Sequence, residues 1–378
     1  TFSSMAYEKL SNLQSRLGMM SNFINSYTYN LQTPVYNAMM SLKYIVQNNS
    51  NDRMSNYLYK EKASSGNFTA FENKYYLPIA YMVDNSVKSW SFDDSNPFTV
   101  QSDYFEKATG IKDVFTRLKV DQDNVTYNNI NTFFTGFESG YFTFEKTVTG
   151  TDGSFTLTVT PATTQNVYIY ASSDEVEKVN IEGSDFNISH DEESDIIDLG
   201  VCKANEPIYI EIPVKDKEIS SGNVTFYAYG LEMDKFIQGY DILKKGQMNI
   251  STFEDTYIKG TVNVEKDGLL YTSIPYDPGW SVKVDGKEVS RIKIANSLLA
   301  INLSKGEHTI ELSFMPQGLL IGCAISASAL LLFIIILISV HITRKKKKDT
   351  SSVVSPQTAA AEDNTQNLPP IQSGSYDI

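Results

Sequence analysis

Five tyrosines are the candidate ligand contacts of this sequence. They alternate along strand-like segments, on the side opposite the aliphatic residues. A tyrosine ring can stack on a sugar ring, so an exposed row would suit carbohydrate. Tyrosine is also favoured in strands for packing alone, and a second layer would bury the same row. The candidate carbohydrate contacts are Tyr168, Tyr170, Tyr209, Tyr227 and Tyr229.

A second aromatic cluster lies in the segment IPYDPGWSVKVDG, residues 274–286. A Tyr/Asp/Trp group of this kind resembles a sugar-binding platform, and it also fits a turn that leads into a strand. Strand alternation places Trp280 on one face with Val282, and Ser281 with Lys283 on the other. Tryptophan therefore follows the apolar side, and we predict that it packs in the core.

The sequence offers little for catalysis or metal binding. His190, His308 and His341 are far apart and lack the spacing of metal ligands. No nucleophile elbow, zinc-protease, P-loop or dinucleotide motif occurs. The acidic run 191–193 lacks the alternating ligands and glycine turn of a calcium loop, which favours a solvated loop. We predict no catalytic, cofactor-binding or metal-binding residue in this chain.

Composition excludes further classes. The 378 residues carry a formal net charge of −13, and such an acidic surface argues against nucleic-acid binding. Hydrophobic residues make up 41% of the chain, enough for a sizeable core. The two cysteines, Cys202 and Cys323, exclude a disulfide framework because Cys323 lies in an apolar run.

The hydrophobic period changes near residue 140 from mixed signals to an alternation of two. We predict an α+β chain: a mixed α/β N-terminal region, then a β-sandwich or jelly-roll extracytoplasmic region, then one transmembrane helix. Whether the β-region forms one sandwich or two (137–230 and 250–315) stays open. The predicted boundaries are 1–135 for the mixed region, 136–232 for a β-sandwich, 233–317 for a helix plus β-sandwich or hairpin region, 318–340 for the span and 341–378 for a disordered cytoplasmic tail.

Residues 318–340 form an uncharged, mostly apolar stretch, long enough to cross ~30 Å of hydrocarbon as a helix. A basic run at 344–348 follows directly, and positive charge beside a span marks its cytoplasmic side. We therefore predict that residues 1–317 are extracytoplasmic and that the lipid bilayer is a partner.

Small residues recur at four-residue spacing in the outer half of this span, at Gly318, Gly322 and Ser326. Such a pattern lets helices pack closely in a bilayer, although chance in a span rich in small residues would also produce it. An exported region needs a signal peptide or an earlier span, and residues 1–30 contain neither. We expect a C-terminal piece of a longer, multi-pass bacterial membrane protein, whose upstream helices pack against this one.

Several segments together resemble the YfhO family of bacterial multi-pass membrane proteins. The most specific is the IPYD-x-GW element within 233–289, followed by LSKGEHTIELSFMPQGLLIG at 303–322. NSYTYNLQTPVYNAMMSLKYIV at 25–46 and NPFTVQSDYFEKATG at 96–110 agree as well. Pro278 and Phe314 depart from the residues that are usual at their positions, which affects only turn geometry. The resemblance covers essentially all of residues 1–345.

The resemblance implies a GT-C-type glycosyltransferase, which moves a sugar from a polyprenyl-phosphate carrier to an acceptor outside the membrane. The acceptor would be a cell-envelope glycopolymer such as lipoteichoic acid. In that superfamily the catalytic carboxylate lies in an early outer loop, upstream of this chain, so no catalytic residue is carried over. The chain itself would help to position the acceptor.

Two other functions remain open at this stage. One is a carbohydrate-binding or adhesion ectodomain on a single anchor, which predicts a signal peptide shortly upstream of Thr1. The other is an envelope-assembly subunit without catalysis, which predicts unchanged polymer glycosylation when the gene is deleted.

Overall fold

A computed structural model describes residues 8–22, 26–48, 57–134, 140–188 and 195–350. The chain divides into two compact units, residues 1–315 and 316–378. The α-helices of the described chain are α1 (Glu8–Arg16), α2 (Pro34–Met39), α3 (Pro97–Thr109), α4 (Met233–Lys245) and α5 (Leu319–Thr350), and short 3-10 helices cover Asn85–Ser89 and Gln122–Asn124.

Twenty-five strands in the described residues make the chain β-rich. They are β1 (Met20–Ser21), β2 (Tyr27–Thr28), β3 (Tyr44–Asn48), β4 (Tyr59–Ser65), β5 (Phe68–Asn73), β6 (Ala80–Val83), β7 (Phe115–Arg117), β8 (Thr126–Asn128), β9 (Ile130–Phe134), β10 (Tyr141–Lys146), β11 (Gly153–Val159), β12 (Gln165–Ser172), β13 (Lys178–Ile181), β14 (Ser184–Asn187), β15 (Ile196–Cys202), β16 (Ile208–Val214), β17 (Ser221–Leu231), β18 (Asn249–Glu254), β19 (Tyr257–Val264), β20 (Gly268–Pro275), β21 (Trp280–Val284), β22 (Lys287–Glu288), β23 (Ile292–Ile294), β24 (Leu298–Leu303) and β25 (Gly306–Phe314).

These strands form four larger antiparallel sheets. Sheet A has the order β15-β12-β17-β10-β9, with β7 also paired to β17, and sheet B has the order β14-β13-β16-β11-β8. Sheet C is β18-β19-β25-β21-β22, and sheet D is β23-β24-β20-β6. A hairpin β1-β2 and a small sheet β3-β5-β4 complete the β-structure.

Sheets A and B share one hydrophobic core. Phe155 and Leu157 on β11 of sheet B pack in the same cluster as Ile169 on β12 and Phe226 on β17 of sheet A. Alternation on both sheets supplies this core, because every second side chain of a strand points the same way. The two-layer arrangement fits the predicted sandwich.

Sheets C and D form a second pair. Ile310 and Leu312 of β25 pack with Leu270 of β20 and Ile301 of β24 in one buried cluster. Strand β6 comes from the N-terminal region and pairs with β20, so Met82 lies opposite Leu270 although 188 residues separate them in sequence. A strand from the N-terminal region therefore completes a sheet whose other strands lie in the C-terminal part of the β-rich region.

A helical layer fills the space between the outer faces of sheets A and D. Helix α3 contributes Phe98 and Phe105 to the cluster on sheet A, and it contributes Tyr104 to the cluster on sheet D. Helix α4 also contacts both clusters: Phe236 lies in the cluster on sheet A, and Tyr240 lies in the cluster on sheet D. Two apolar faces on each helix thus cover two sheets at once.

Local signals explain where these helices start and stop. The Thr33 hydroxyl accepts the Tyr36 N–H at the start of α2, with proline as the first helical residue. Asn96 caps α3 through the Phe98 N–H, and Gly110 ends α3 in the left-handed conformation at φ 79°. The groups that set these boundaries are close in sequence to the helix ends that they cap.

The prediction of a strand-rich chain with helices and one apolar C-terminal helix is confirmed, and the α+β class with a β-sandwich stays a prediction. The predicted boundary at 135/136 stays a prediction, and strand pairing runs across it, because β8 pairs with β11 and β9 pairs with β10. Residues 351–378 of the predicted tail lie outside the described chain.

Candidate functional site

The five predicted carbohydrate contacts do not share one surface. Four of them lie on the outer face of sheet A, on β12 and β17, beneath the helical layer. Tyr168 is fully buried, and Tyr227 is 7% exposed. Tyr170 and Tyr229 are half-buried, whereas Tyr209 lies on sheet B and is exposed.

Aromatic residues from remote segments seal the face on sheet A. The ring of Phe98 on α3 lies 4.6 Å from that of Tyr229, centroid to centroid. The ring of Phe115 lies edge-on to Tyr168 at 6.4 Å. The Asn96 amide donates to the Tyr229 hydroxyl at 3.0 Å. A row sealed in this way is a packing surface, and sugar contact by any of the five tyrosines stays a prediction.

The segment 274–286 is open by comparison. Its turn is closed by the Gly279 N–H, which donates to the Asp277 carboxylate at 2.6 Å. Met315 N–H donates to the Gly279 carbonyl at 3.0 Å. A Cβ on Gly279 would lie 2.5 Å from the Met315 carbonyl oxygen, so only glycine allows this approach. The turn is therefore joined to the end of β25.

Strand β21 follows the turn with the predicted alternation. Trp280 is half-buried and packs on Phe314, with ring centroids 5.1 Å apart, and Val282 is buried. Ser281 and Lys283 are exposed. The tryptophan is a packing residue, as its parity predicts.

Tyr276 has a different environment from Trp280. It lines a cleft of about 290 Å³ together with residues of α1 and of the β23–β24 turn. The Lys293 ammonium nitrogen lies 4.5 Å from the centroid of the Tyr276 ring. The Arg291 guanidinium carbon lies 5.9 Å from the same centroid. Cations over an aromatic face at these distances are attracted by the ring.

Arg291 also fixes the shape of this cleft. Its Nη1 donates to the Pro278 carbonyl at 2.7 Å and to the Trp280 carbonyl. One guanidinium therefore holds both sides of the turn and keeps its charge at the edge of the cleft. Planar, fixed donors of this kind suit phosphate and carboxylate ligands.

The opposite wall of the Tyr276 cleft comes from α1. Glu8 and Lys9 line it, and both are exposed. The Ser297 hydroxyl donates to the Lys9 carbonyl at 2.7 Å, which holds the start of α1 against the β23–β24 turn. Three positive charges lie in or beside the cleft, those of Lys9, Arg291 and Lys293. Two carboxylates lie there as well, those of Glu8 and Asp277. The local charge is therefore positive, although the whole chain has a net charge of −13.

This cleft was not predicted from the sequence. Tyr276 lies in the segment 274–286, but strand alternation there distinguishes only the two faces of β21, which begins at Trp280. Lys9 lies 267 positions before Tyr276, and no local pattern connects them. One signal was present in the sequence: Lys293 alternates with the apolar Ile292 and Ile294, which indicates that the Lys293 side chain is exposed.

The described residues contain no group of three or more His, Cys, Asp or Glu side chains that could hold a metal ion. His308 instead bonds the Asp285 carboxylate through Nδ1 at 2.8 Å and the Ser304 carbonyl through Nε2 at 2.9 Å. The bond to Asp285 raises the pKa of His308. His190 and the acidic run 191–193 lie outside the described residues.

Helix α5 is the one described helix long and apolar enough to cross a membrane, over Leu319–Lys347. One of the three small residues that were predicted to share a face of this helix lies outside it. Gly318 precedes the helix with φ 82°, and its carbonyl accepts the Gly322 N–H at 2.7 Å. Gly318 is therefore a helix-start residue, and Gly322 and Ser326 keep their four-residue spacing within α5. Packing through these residues stays a prediction.

A β-rich region followed by an apolar helix of membrane-spanning length is the architecture of a membrane protein. A family model described as bacterial membrane protein YfhO matches residues 1–326. The chain therefore belongs to the YfhO family, and the predicted resemblance is confirmed.

A curated relative from the same family is much longer than this chain. Uncharacterized protein YfhO of Bacillus subtilis (strain 168) is 24% identical over 308 residues, which cover 77% of this chain and 34% of the relative. The chain thus spans about a third of the length of that relative.

Similarity to solved structures is weak. A cycloisomaltooligosaccharide glucanotransferase from Paenibacillus sp. has a TM-score of 0.20 and 8% identity, over 61% of this chain and 50% of that one. The arabinofuranosyltransferase AftD from Mycobacteria has a TM-score of 0.17 and 7% identity, over 53% and 25%. TM-scores this low do not establish a shared fold, and neither likeness bears on function.

Proposed function

We propose that this chain is the extracytoplasmic region and last span of a membrane glycosyltransferase. The whole protein would transfer a sugar from a polyprenyl-phosphate carrier to a cell-envelope glycopolymer such as lipoteichoic acid. Membership of the YfhO family, whose pattern resembles GT-C-type enzymes, is the observation that carries the proposal. The chain is non-catalytic by itself and positions the acceptor.

The proposed topology follows from charge. The basic run 344–348 at the end of α5 favours the cytoplasmic side, so the β-rich region would lie outside the cell. In the proposed multi-pass protein, further transmembrane helices would pack beside α5. The proposed partners are the lipid bilayer, those upstream transmembrane helices and the acceptor polymer.

The Tyr276 cleft is the proposed acceptor contact. Teichoic-acid polymers carry a phosphodiester in every repeat, so an acidic protein needs a local positive surface to hold one. Lys9, Arg291 and Lys293 provide that surface beside an aromatic ring.

Gene deletion in the source bacterium tests the enzymatic role. Envelope polymers from the deletion strain are analysed by mass spectrometry, with the full-length gene restored as the control. We expect the deletion to remove one sugar substituent and restoration to return it. Unchanged glycosylation would favour the alternative, a membrane-anchored carbohydrate-binding or envelope-assembly protein without catalysis.

Cysteine labelling of intact cells tests the sidedness. Burial raises the pKa of the Cys202 thiol to about 11, so the native thiol is a poor nucleophile at neutral pH. The variant Lys217→Cys places a thiol at an exposed position of the β-rich region. We expect an impermeant maleimide to label this variant in intact cells. Labelling only after lysis would place the region in the cytoplasm and overturn the proposed topology.

A further inference from the structure

His308 joins two turns of the β-rich region. It lies on β25, and its side chain is 13% exposed. Its Nδ1 lies 2.8 Å from a carboxylate oxygen of Asp285, in the turn between β21 and β22. Its Nε2 lies 2.9 Å from the carbonyl oxygen of Ser304, in the turn between β24 and β25. Both nitrogens of one ring are therefore bonded, each to a different turn.

The two partners of the His308 ring are both acceptors. A carbonyl oxygen can only accept a hydrogen bond, and an ionised carboxylate likewise has no proton to donate. Asp285 is ionised at neutral pH, because its bonds to His308 and to the Thr309 N–H lower its pKa. Each ring nitrogen must therefore carry a proton for both bonds to form, and only the imidazolium carries two. Turning the ring over would place carbon atoms against both oxygens, so the two partners also fix its orientation.

Loss of one ring proton affects the two turns unequally. The charged Asp285 carboxylate is a stronger acceptor than a neutral carbonyl, so the proton that remains stays on Nδ1. Nε2 then presents a lone pair to the Ser304 carbonyl oxygen, and two acceptors at 2.9 Å repel each other. Asp285 keeps two further bonds: its Oδ1 accepts the Thr309 N–H at 2.8 Å, and its N–H donates to the Thr309 carbonyl at 2.9 Å. Deprotonation therefore releases the β24–β25 turn and leaves the β21–β22 turn in place.

The β24–β25 turn depends on polar contacts. Ser304 and Lys305 are both exposed, so packing contributes little to holding them. The Lys305 N–H donates to the Asp267 carboxylate at 2.7 Å, and Gly306 begins the pairing of β25 with β19 opposite Val264. The bond from His308 is the contact that ties the Ser304 carbonyl to the rest of the sheet. Its loss should therefore increase the motion of this turn.

Asp285 is the charge that acts on His308. The bond to its carboxylate raises the pKa of the imidazole, and partial burial of the ring opposes this by lowering it. On β19 the residue opposite His308 is Val262, and β24 contains no charged residue. The charged residues of the adjoining turns and of β25 next to the ring are Glu265, Asp267, Asp285, Lys287, Lys305 and Glu307.

We propose that His308 is a proton-dependent switch: the imidazolium holds the β24–β25 turn to the β21–β22 turn, and the neutral ring releases the β24–β25 turn. Because the pKa of His308 is raised, the turn is fully held below pH 6.5 and is released as pH rises through the raised value. The proposal goes beyond the proposed function, because it requires neither glycosyl transfer nor the Tyr276 cleft.

Histidine-selective nitrogen NMR of the full chain in lipid nanodiscs tests the protonation states. The chain has three histidines, so His308→Gln identifies the His308 signals by their loss. We expect both ring nitrogens to carry protons at pH 5.5 and Nδ1 alone to carry one at pH 8.5. A ring protonated at Nε2 alone at pH 8.5 would overturn the assignment of the released turn. A ring with one proton at pH 5.5 would overturn the switch itself.

Two variants test the role of Asp285 in the same spectra. Asp285→Asn keeps an oxygen acceptor and suits the left-handed backbone of this position, at φ 53°. We expect it to move the His308 transition to lower pH, because the carboxylate charge that favours the imidazolium is lost. Asp255→Asn is the matched control: it removes an exposed carboxylate from the β18–β19 turn of the same sheet and should leave the transition unchanged. An unshifted transition in Asp285→Asn, or an equal shift in both variants, would contradict the proposal.

Hydrogen exchange of the turn 304–306 tests its release. Exchange of the full chain is followed by millisecond quench-flow and mass spectrometry, and each rate is divided by the intrinsic rate at that pH. We expect the protection of this turn to fall about two- to tenfold between pH 5.5 and pH 8.5, the range that one hydrogen bond accounts for. His308→Gln has no titrating ring and should show equal protection at both pH values. If His308→Gln does not fold, Asp285→Asn serves instead, and its loss of protection should begin at lower pH. Constant protection in the native chain, or an equal fall in His308→Gln, would overturn the proposal.

Discussion

Two aromatic regions of this chain look alike in sequence and differ in the fold. The tyrosine face of sheet A is sealed, because α3 and α4 lay phenylalanines over Tyr168 and its neighbours. The Tyr276 cleft is open, with Lys293 of β23 over its ring and Lys9 of α1 in the same lining. Alternation alone predicts which side of a strand a tyrosine takes. It does not predict what covers that side.

The contrast assigns different roles to the two regions. In the sealed region, tyrosines contribute area removed from water, so changes there should lower stability. In the open region, side chains keep access to solvent, so changes there should affect binding and lower stability by about 1 kcal/mol or less.

Truncation of the sealed face should have the largest effect. We expect Tyr168→Ala to lower the free energy of unfolding by about 3–5 kcal/mol, because it leaves a cavity beneath the helical layer. Tyr209→Ala should cost about 0.5 kcal/mol or less, since that side chain is 57% exposed. Thermal unfolding of the full chain in detergent, followed by tryptophan fluorescence, measures both. Equal losses of stability in the two variants would contradict the distinction between a buried and an exposed tyrosine.

A buried carboxyl at the edge of the sealed region should give the next largest effect. Asp195 is 7% exposed, accepts the Asn30 amide at 2.7 Å, and has a pKa raised to about 6 by burial. The ordinary pKa of an aspartate is 3.8, and the folded pKa is about 6. The free energy of unfolding therefore falls as pH rises from 3.8 to about 6, and this loss stays constant at higher pH. We expect Asp195→Asn to stabilise the chain by about 1–3 kcal/mol at pH 7.

The same comparison at pH 4 is the control for Asp195. Both the native carboxyl and the amide are uncharged in the fold there, so the two unfolding curves should nearly coincide. A stabilisation of equal size at pH 4 and pH 7 would show that ionisation is not its cause.

Arg291 should contribute to stability in the open region, because it holds the turn. We expect Arg291→Ala to lower stability by about 1 kcal/mol, because the Pro278 and Trp280 carbonyls lose a charged donor at a partly exposed site. Arg291→Lys keeps the charge but not the planar pair of donors. Thermal unfolding should therefore place it between Ala and the native residue. An Arg291→Lys variant as unstable as Arg291→Ala would show that charge is irrelevant at the turn.

The smallest effect should come from the exposed pair on sheet C. The bond to Asp285 raises the pKa of His308, so its stabilisation is present below pH 6.5 and is lost as pH rises through the raised value. The bond to His308 lowers the pKa of Asp285, so the stabilisation that the ionised Asp285 contributes is lost as pH falls below 3.8. His308→Gln should therefore lower the melting temperature slightly at pH 5.5 and not at pH 9. An equal change at both pH values would contradict the charge pairing.

Local chemistry predicted much of the fold. Thr33-Pro34 and Gly110 mark helix ends because the capping groups are neighbours in sequence. The span and the face of Trp280 follow from composition and parity in the same way. The pairing of β6 with β20 could not be predicted, because 188 positions separate Met82 from Leu270.

The candidate sites were less predictable than the fold for the same reason. Lys9 meets Tyr276 only after α1 docks on the β23–β24 turn. The sealing of Tyr168 likewise depends on Phe115 and on helices whose second apolar face has no signature of its own. Sites assembled from remote segments require the tertiary structure.

Binding of poly(glycerol phosphate) teichoic acid to the full chain in nanodiscs tests the central claim most directly. The variant Lys9→Ala/Lys293→Ala removes two charges from the Tyr276 cleft, and Lys217→Ala removes one exposed charge from the sheet A–sheet B region. We predict binding by the native chain that weakens with salt, a roughly tenfold loss in the double variant and none in Lys217→Ala. Native-like binding by the double variant would contradict the open cleft as the acceptor surface.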